Sequence, residues 1–168
     1  GLIGKGTFYE SSIKVPLIVN LPWATEAKVW DGPVSIEDIT ATILHYGGYD
    51  IPSYFDSIPL PGLGIDAKIR DRVYGFLGSG CMNYDGEWKL SKYTTGVVQL
   101  FNVKEDPGEQ NNRVDDPESF EIFRKLDAEL TAQTMRSINA AHAEKLVNTS
   151  WEDLEFGRGG WKRTYPQP

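Results

Sequence analysis

The alternation of apolar and polar positions divides the chain into three regimes. In the first, residues 14–20 (KVPLIVN) form a continuous apolar run. Such a run predicts a strand buried on both faces of an α/β sheet, with Pro16 at its start where no ladder donor is needed. After a Pro-rich and Gly-containing loop, the period shifts to threes and fours: Ile36, Ile39, Ile43 and Leu44 share one face of a predicted helix. Ser35 and Asp38 make an aspartate variant of the capping box, starting that helix at Ile36, and Gly47-Gly48 stops it. Residues 51–64 carry three prolines and two glycines and predict a loop.

The second regime begins near Arg72, with short aromatic and β-branched segments, RVYGFLG, CMNYDG, EWKLSKY and VVQLFNV. Gly80 and the hairpin signal Asp85-Gly86 punctuate them, predicting three or four antiparallel strands. EDPGEQNN is turn chemistry. The third regime is helical: Asp116 caps, Pro117 takes the first helical position, and Phe120, Phe123, Leu126 and Leu130 repeat at helical spacing. This helix is expected to cover the small sheet, weakening beyond Thr134 with an extension towards Leu146. Residues 151–168 lack a period and predict an irregular tail.

Composition narrows the function classes. Seventeen basic against 24 acidic residues give a net charge of -7, which repels polyanions, so no nucleic-acid partner is expected. No apolar run reaches the length of a membrane helix, so no membrane span is expected. A single cysteine, Cys81, forbids an internal disulfide and a multi-cysteine metal cluster. The first residue is Gly rather than Met, which leads to the expectation of a processed product or a fragment.

Candidate chemistry starts with Lys5, between Gly4 and Gly6. A phosphate loop is the first thought and fails: it needs Gly, four residues, then Gly-Lys-Ser/Thr behind a strand, whereas here Gly6 follows the lysine and no strand fits ahead. On spacing alone a solvated loop lysine is the plain reading. His45, near a helix C-terminus, and His142, in a weakly patterned stretch, lack an evident carboxylate partner for acid/base work. Asp31, Asp38, Asp50, Asp56 and Asp66 are not spaced as a ligand cluster and read as caps and turns. Cys81 reads as a small, half-buried strand residue. Asn148-Thr-Ser150 is a glycosylation sequon, with meaning in a eukaryotic secretory setting.

The order of segments changes the reading of Lys5. GKGTFYESSIKVPLIV, VSIEDITATILHYGG, DGEWKL and LFNVKEDPGEQNN resemble, in that order, the C-terminal third of sulfatases of the alkaline phosphatase superfamily. The matching positions are Gly4, Lys5, Gly6, Thr7, Tyr9, Glu10, Lys14, Pro16, Ile18 and Val19, then Asp85, Gly86, Trp88 and Lys89, then Asp106, Pro107, Glu109 and Asn112.

The resemblance implies an α/β fold class: residues 1–70 as the incomplete C-terminal end of an alkaline-phosphatase-like sandwich, 71–150 as a small antiparallel sheet covered by a helix, and 151–168 as the tail. It implies that Lys5 is both catalytic and substrate-binding, contacting sulfate oxygens, and that Trp88, Tyr84 and the stretch Gly78-Ser79-Gly80 border the pocket. Buried hairpin aromatics are the commoner arrangement for such residues. The family's cofactors would be a calcium ion and a formylglycine nucleophile, both held in a missing N-terminal part. No Cys/Ser-x-Pro-x-Arg motif occurs here, and no metal ligands are assigned to this chain. Ser11-Ser12 replaces the glycines many members carry.

The expected parent is a sulfuric ester hydrolase acting on a small-molecule or carbohydrate sulfate ester, working outside the cytoplasm, with this piece inactive alone. Its alternatives are a phosphomonoester or phosphonate hydrolase of the same superfamily, and a non-catalytic binding or structural module.

Overall fold

In the computed structural model, residues 6–52, 54–66 and 68–147 are described, with side chains as far as residue 141. The elements run α1 (Glu10–Ile13), α2 (Asp38–Tyr46), β1 (Val73–Leu77), β2 (Gly80–Tyr84), β3 (Trp88–Tyr93), β4 (Val98–Asn102), a 3-10 turn (Pro117–Ser119) and α3 (Phe120–Val147). The chain divides into two compact units, Gly1–Asp127 and Ala128–Pro168, with the boundary inside α3.

The four strands form one antiparallel meander in the order β1-β2-β3-β4, as the punctuated second regime predicts. Local chemistry sets each turn. Between β2 and β3, Asp85 Oδ1 accepts the backbone N–H groups of Glu87 and Trp88 at 3.1 and 2.8 Å, while Gly86 takes a φ of 96° that a side chain would oppose. Gly80 opens β2 where its neighbour strand comes closest: a Cβ there would fall 2.5 Å from the Lys92 carbonyl oxygen. Gly80→Ala must therefore push apart two paired backbones, and a loss of about 1–3 kcal/mol is expected by chemical denaturation.

Alternation assigns the two faces of the sheet. Leu90, Leu100 and Asn83 point one way, and the Asn83 amide donates to the Leu126 carbonyl of α3 at 3.1 Å. Lys92 pairs with Asp127 at 2.8 Å beside it. The opening turns of α3 thus cover this face, as expected from the sequence. Leu90, Leu100 and Leu126 are fully buried. Leu100→Ala is expected to cost about 2–5 kcal/mol, the usual range for deleting a buried leucine side chain. Phe120, by contrast, stays half-exposed with the Arg124 guanidinium 5.8 Å from its ring.

Asp116 caps the 3-10 turn through its carboxylate, which accepts from the Glu118 N–H at 3.0 Å, with Pro117 following it as predicted. That hydrogen bond, and those from Arg113, hold the Asp116 carboxyl below its ordinary value. A depressed carboxyl contributes stability that is present above its unfolded value and is lost as pH falls through its folded one. Asp116→Asn is accordingly expected to lose stability at pH 7 and to match the parent chain at acidic pH, as read from denaturation midpoints at both.

Two expectations are corrected. Residues 14–20 are not a strand: they carry no regular secondary structure and lie outside the sheet, Ile18 is 91% exposed, and Val15, Leu17 and Val19 are exposed as well. The described residues hold one sheet, and it is antiparallel, so no strand lies beside this run to bury it. The second helix starts at Asp38 rather than Ile36, after a turn in which Asp38 N–H bonds the Ser35 carbonyl at 3.0 Å. Its buried positions are Asp38, Ala41 and Thr42, while Ile36 and Ile43 are 71% and 65% exposed.

What anchors α2 is polar. The Asp38 carboxylate, 1% exposed, accepts the N–H groups of Ser35 (2.9 Å) and Ile58 (3.0 Å) and both prongs of Arg70 (3.0 and 2.5 Å). Arg70 also donates to the Asp56 carbonyl, and Thr42 Oγ1 takes the Leu60 N–H at 2.8 Å. The loop over residues 51–64 is fastened to α2 by these bonds in place of regular structure.

Candidate functional site

On the face of the sheet opposite α3 lies the segment that follows Lys5. Phe8 is buried against Tyr93, with ring centroids 5.7 Å apart, and its N–H donates to the Tyr93 hydroxyl at 3.1 Å. Gly75 makes room for this ring: a Cβ there would come within 3.2 Å of Phe8 and 2.9 Å of Met82. Tyr9 stacks on Phe101 at 5.9 Å and accepts a bond from Gln99 Nε2 at 2.6 Å.

Glu10 then enters an ion cluster. Lys89, the second residue of β3 and 1% exposed, places Nζ 2.7 Å from Glu10 Oε1 and 2.7 Å from Glu109 Oε1. Glu109 Oε2 accepts the Glu10 backbone N–H at 2.6 Å. Glu109 itself holds a positive φ of 52°, rare for a residue with a side chain, at the end of the Asp106-Pro107 turn. Tyr84 stands opposite Lys89 in the register; burial first, and then the Glu10 charge, push its hydroxyl up from its ordinary value.

Glu10, Lys89 and Glu109 come from three separate segments of the sequence resemblance, and they meet here. Asn112, from the same turn as Glu109, borders β4, accepting the Leu100 N–H at 2.8 Å and donating to the Val98 carbonyl at 3.1 Å. Sequence reasoning gave none of these residues a role; the one signal was that each resembling segment carries a charged residue.

The remaining sequence candidates are dispersed. Lys5 lies outside the described residues, as do the sequon at Asn148 and the tail, and the same holds for the His142 side chain. His45 is exposed at the end of α2, edge-on to Tyr46 at 5.5 Å. Cys81 is half-buried in β2, and burial raises its thiol above the ordinary value, unlike an activated nucleophile. Trp88 and Gly86 line a shallow cavity of about 370 Å³ together with Asp31, Asp85, Glu87 and Lys104. Three carboxylates against one ammonium make it a poor seat for an anion. Among the described residues no three His, Cys, Asp or Glu side chains converge to hold a metal ion, so by themselves they do not fit a calcium site.

Comparison with known proteins places this architecture. No protein-family model and no curated protein matches the chain. Solved structures do. A 2-O GAG sulfatase, BT1596, matches at 24% identity and TM-score 0.54, covering 63% of this chain and 26% of its own. A putative sulfatase from Bacteroides thetaiotaomicron matches at 23% and 0.53, covering 63% and 25%. Over that stretch the chain shares the fold of the matching quarter of these sulfatases. BT4656, solved with its substrate D-glucosamine-2-N,6-O-disulfate, matches at 18% and 0.51 over 61% of this chain and 24% of that one. The sulfatase likeness thus covers most of this chain, which spans about a quarter of the length of those relatives. No helix among the described residues is long and apolar enough to cross a membrane.

Proposed function

We propose that this chain is the C-terminal portion of a sulfuric ester hydrolase, in which Lys5 neutralises the anionic oxygens of a sulfate monoester. The observation that carries the reading is the fold shared with solved sulfatases over 63% of the chain. Because one of those structures holds a sulfated glucosamine, a carbohydrate sulfate is the favoured substrate class.

In this reading residues 1–70 complete an alkaline-phosphatase-like sandwich, residues 71–150 form the appended sheet and helix, and 151–168 are a tail. The exposed apolar surface supports it: the run at 14–20 together with Ile36, Ile43 and Trp23 is what an α/β body would cover. The preceding polypeptide would supply that body, the formylglycine nucleophile and the calcium ligands. Lys5 would contribute charge: hydrolysis keeps negative charge on the sulfuryl oxygens, and an ammonium fixed in a water-poor site stabilises it without reorganisation. By resemblance to the family, a site of action outside the cytoplasm is the favoured reading.

The test joins the chain to the polypeptide encoded upstream and assays para-nitrophenyl sulfate beside para-nitrophenyl phosphate. Turnover of the sulfate in preference to the phosphate is expected, with none from the 168-residue chain alone. Preference for the phosphate would replace the reading with a phosphomonoesterase of the same superfamily. Inactivity on both, with the joined protein folded, would leave a binding module.

A further inference from the structure

Burying Lys89 and Glu109 beside a half-buried Glu10 is an expensive way to hold two segments together. Each ion loses its hydration, and well-packed apolar side chains of similar volume often do as well or better for stability. What the ions add is direction. Lys89 offers one ammonium to two carboxylates, and the carboxylate of Glu109 also grips the Glu10 main chain, so Glu10 is held by side chain and backbone together. Residues 8, 9 and 10 are each tied to the sheet, through Tyr93, Gln99 with Phe101, and Lys89 respectively. Lys5 is three residues ahead of Phe8 in the sequence.

We propose that Glu10, Lys89 and Glu109 form a latch of positioning residues that clamps the segment over residues 8–13 to the small sheet and thereby sets where Lys5 is delivered. The second half of this statement rests on the sulfate-ester reading of Lys5; the first half does not. The small sheet then has a purpose beyond packing: it is the platform from which the lysine-bearing segment is registered.

Hydrogen exchange on the 168-residue chain tests the clamp without reference to activity. Lys89→Met alone strands two carboxylates at a cost that global unfolding would hide, so the informative variant is Glu10→Gln/Lys89→Met/Glu109→Gln, which removes all three charges. Its amides at residues 8–13 are expected to exchange at least about tenfold faster, a small opening free-energy change of the kind that separates local from global unfolding. Those of β2, β3 and β4 should keep their protection. Unchanged exchange at 8–13, or equal loss across the whole sheet, overturns the clamp.

The delivery half is read in the joined enzyme with para-nitrophenyl sulfate. The triple variant is expected to lose about tenfold or more in kcat with KM within about twofold, and to lose nothing further in a Lys5→Ala background, since coupled residues are non-additive. Losses that multiply in that background overturn delivery through Lys5. Full turnover by Lys5→Ala would instead remove the role given to the lysine, and with it the delivery half, while the exchange result still decides the clamp.

Discussion

Lys5→Ala in the joined enzyme is expected to lower kcat by about a hundredfold or more on an aryl sulfate, the range for losing one donor placed at developing charge. The reasoning is about where charge goes. In the ground state the ester already bears a negative charge that solvent or any cation satisfies. On the way to the transition state, charge builds on the leaving oxygen and the sulfuryl group must still be held. An ammonium aimed at those oxygens lowers the barrier most when it cannot relax away. The loss should therefore appear in kcat and in kcat/KM alike, the signature of an interaction made chiefly in the transition state. Lys5→Arg is expected to recover only part of it, because a planar guanidinium on a different stem does not place its charge at the same point. A Lys5→Ala enzyme with unchanged kcat would remove this lysine from the chemistry.

The parts of the fold that were legible in the sequence are those decided within a few residues. Asp85 folds its own turn by accepting two neighbouring N–H groups, and Asp116 caps its own 3-10 turn, so the hairpin and the helix start are written locally. The run at 14–20 is different. Its apolar character calls for partners on both faces, and the described residues provide none, so the composition of a buried strand coexists with exposed side chains and no regular structure. Ile36 and Ile43 show the same thing at α2: these two positions of the periodic face are uncovered while Ile39 and Leu44 are half-buried, and the helix is held through Asp38 and Thr42. The Glu10, Lys89 and Glu109 cluster was illegible for another reason. Lysine and glutamate are solvated by default, and nothing in spacings of 79 and 99 residues betrays a shared cavity. All three are matching positions of the resemblance with no role implied there; the geometry brings them together.

Asp38→Ala is expected to be the most destabilising single substitution on the α2 side of the chain, costing about 3–5 kcal/mol, the range for breaking one partner out of a buried ion pair. The sequence reads Asp38 as half of a capping box, and a lost cap alone would cost only about 1 kcal/mol. The structure makes the difference. This carboxylate gathers four donors, and its removal leaves the Arg70 guanidinium and the N–H groups of Ser35 and Ile58 without their acceptor in a nearly dry site. The hydrogen bond to Asp38 raises the Arg70 guanidinium above its ordinary value in the wild-type chain; without that partner a guanidinium still keeps its proton, so the arginine cannot escape the loss by giving up its charge. Asp38→Asn keeps one acceptor oxygen and the shape of the side chain, and it is expected to fall between the wild-type and alanine chains. Urea denaturation of the three chains checks the order. If Asp38→Ala lost no more than an ordinary cap, the loop over residues 51–64 would have to be held to α2 by contacts other than this carboxylate.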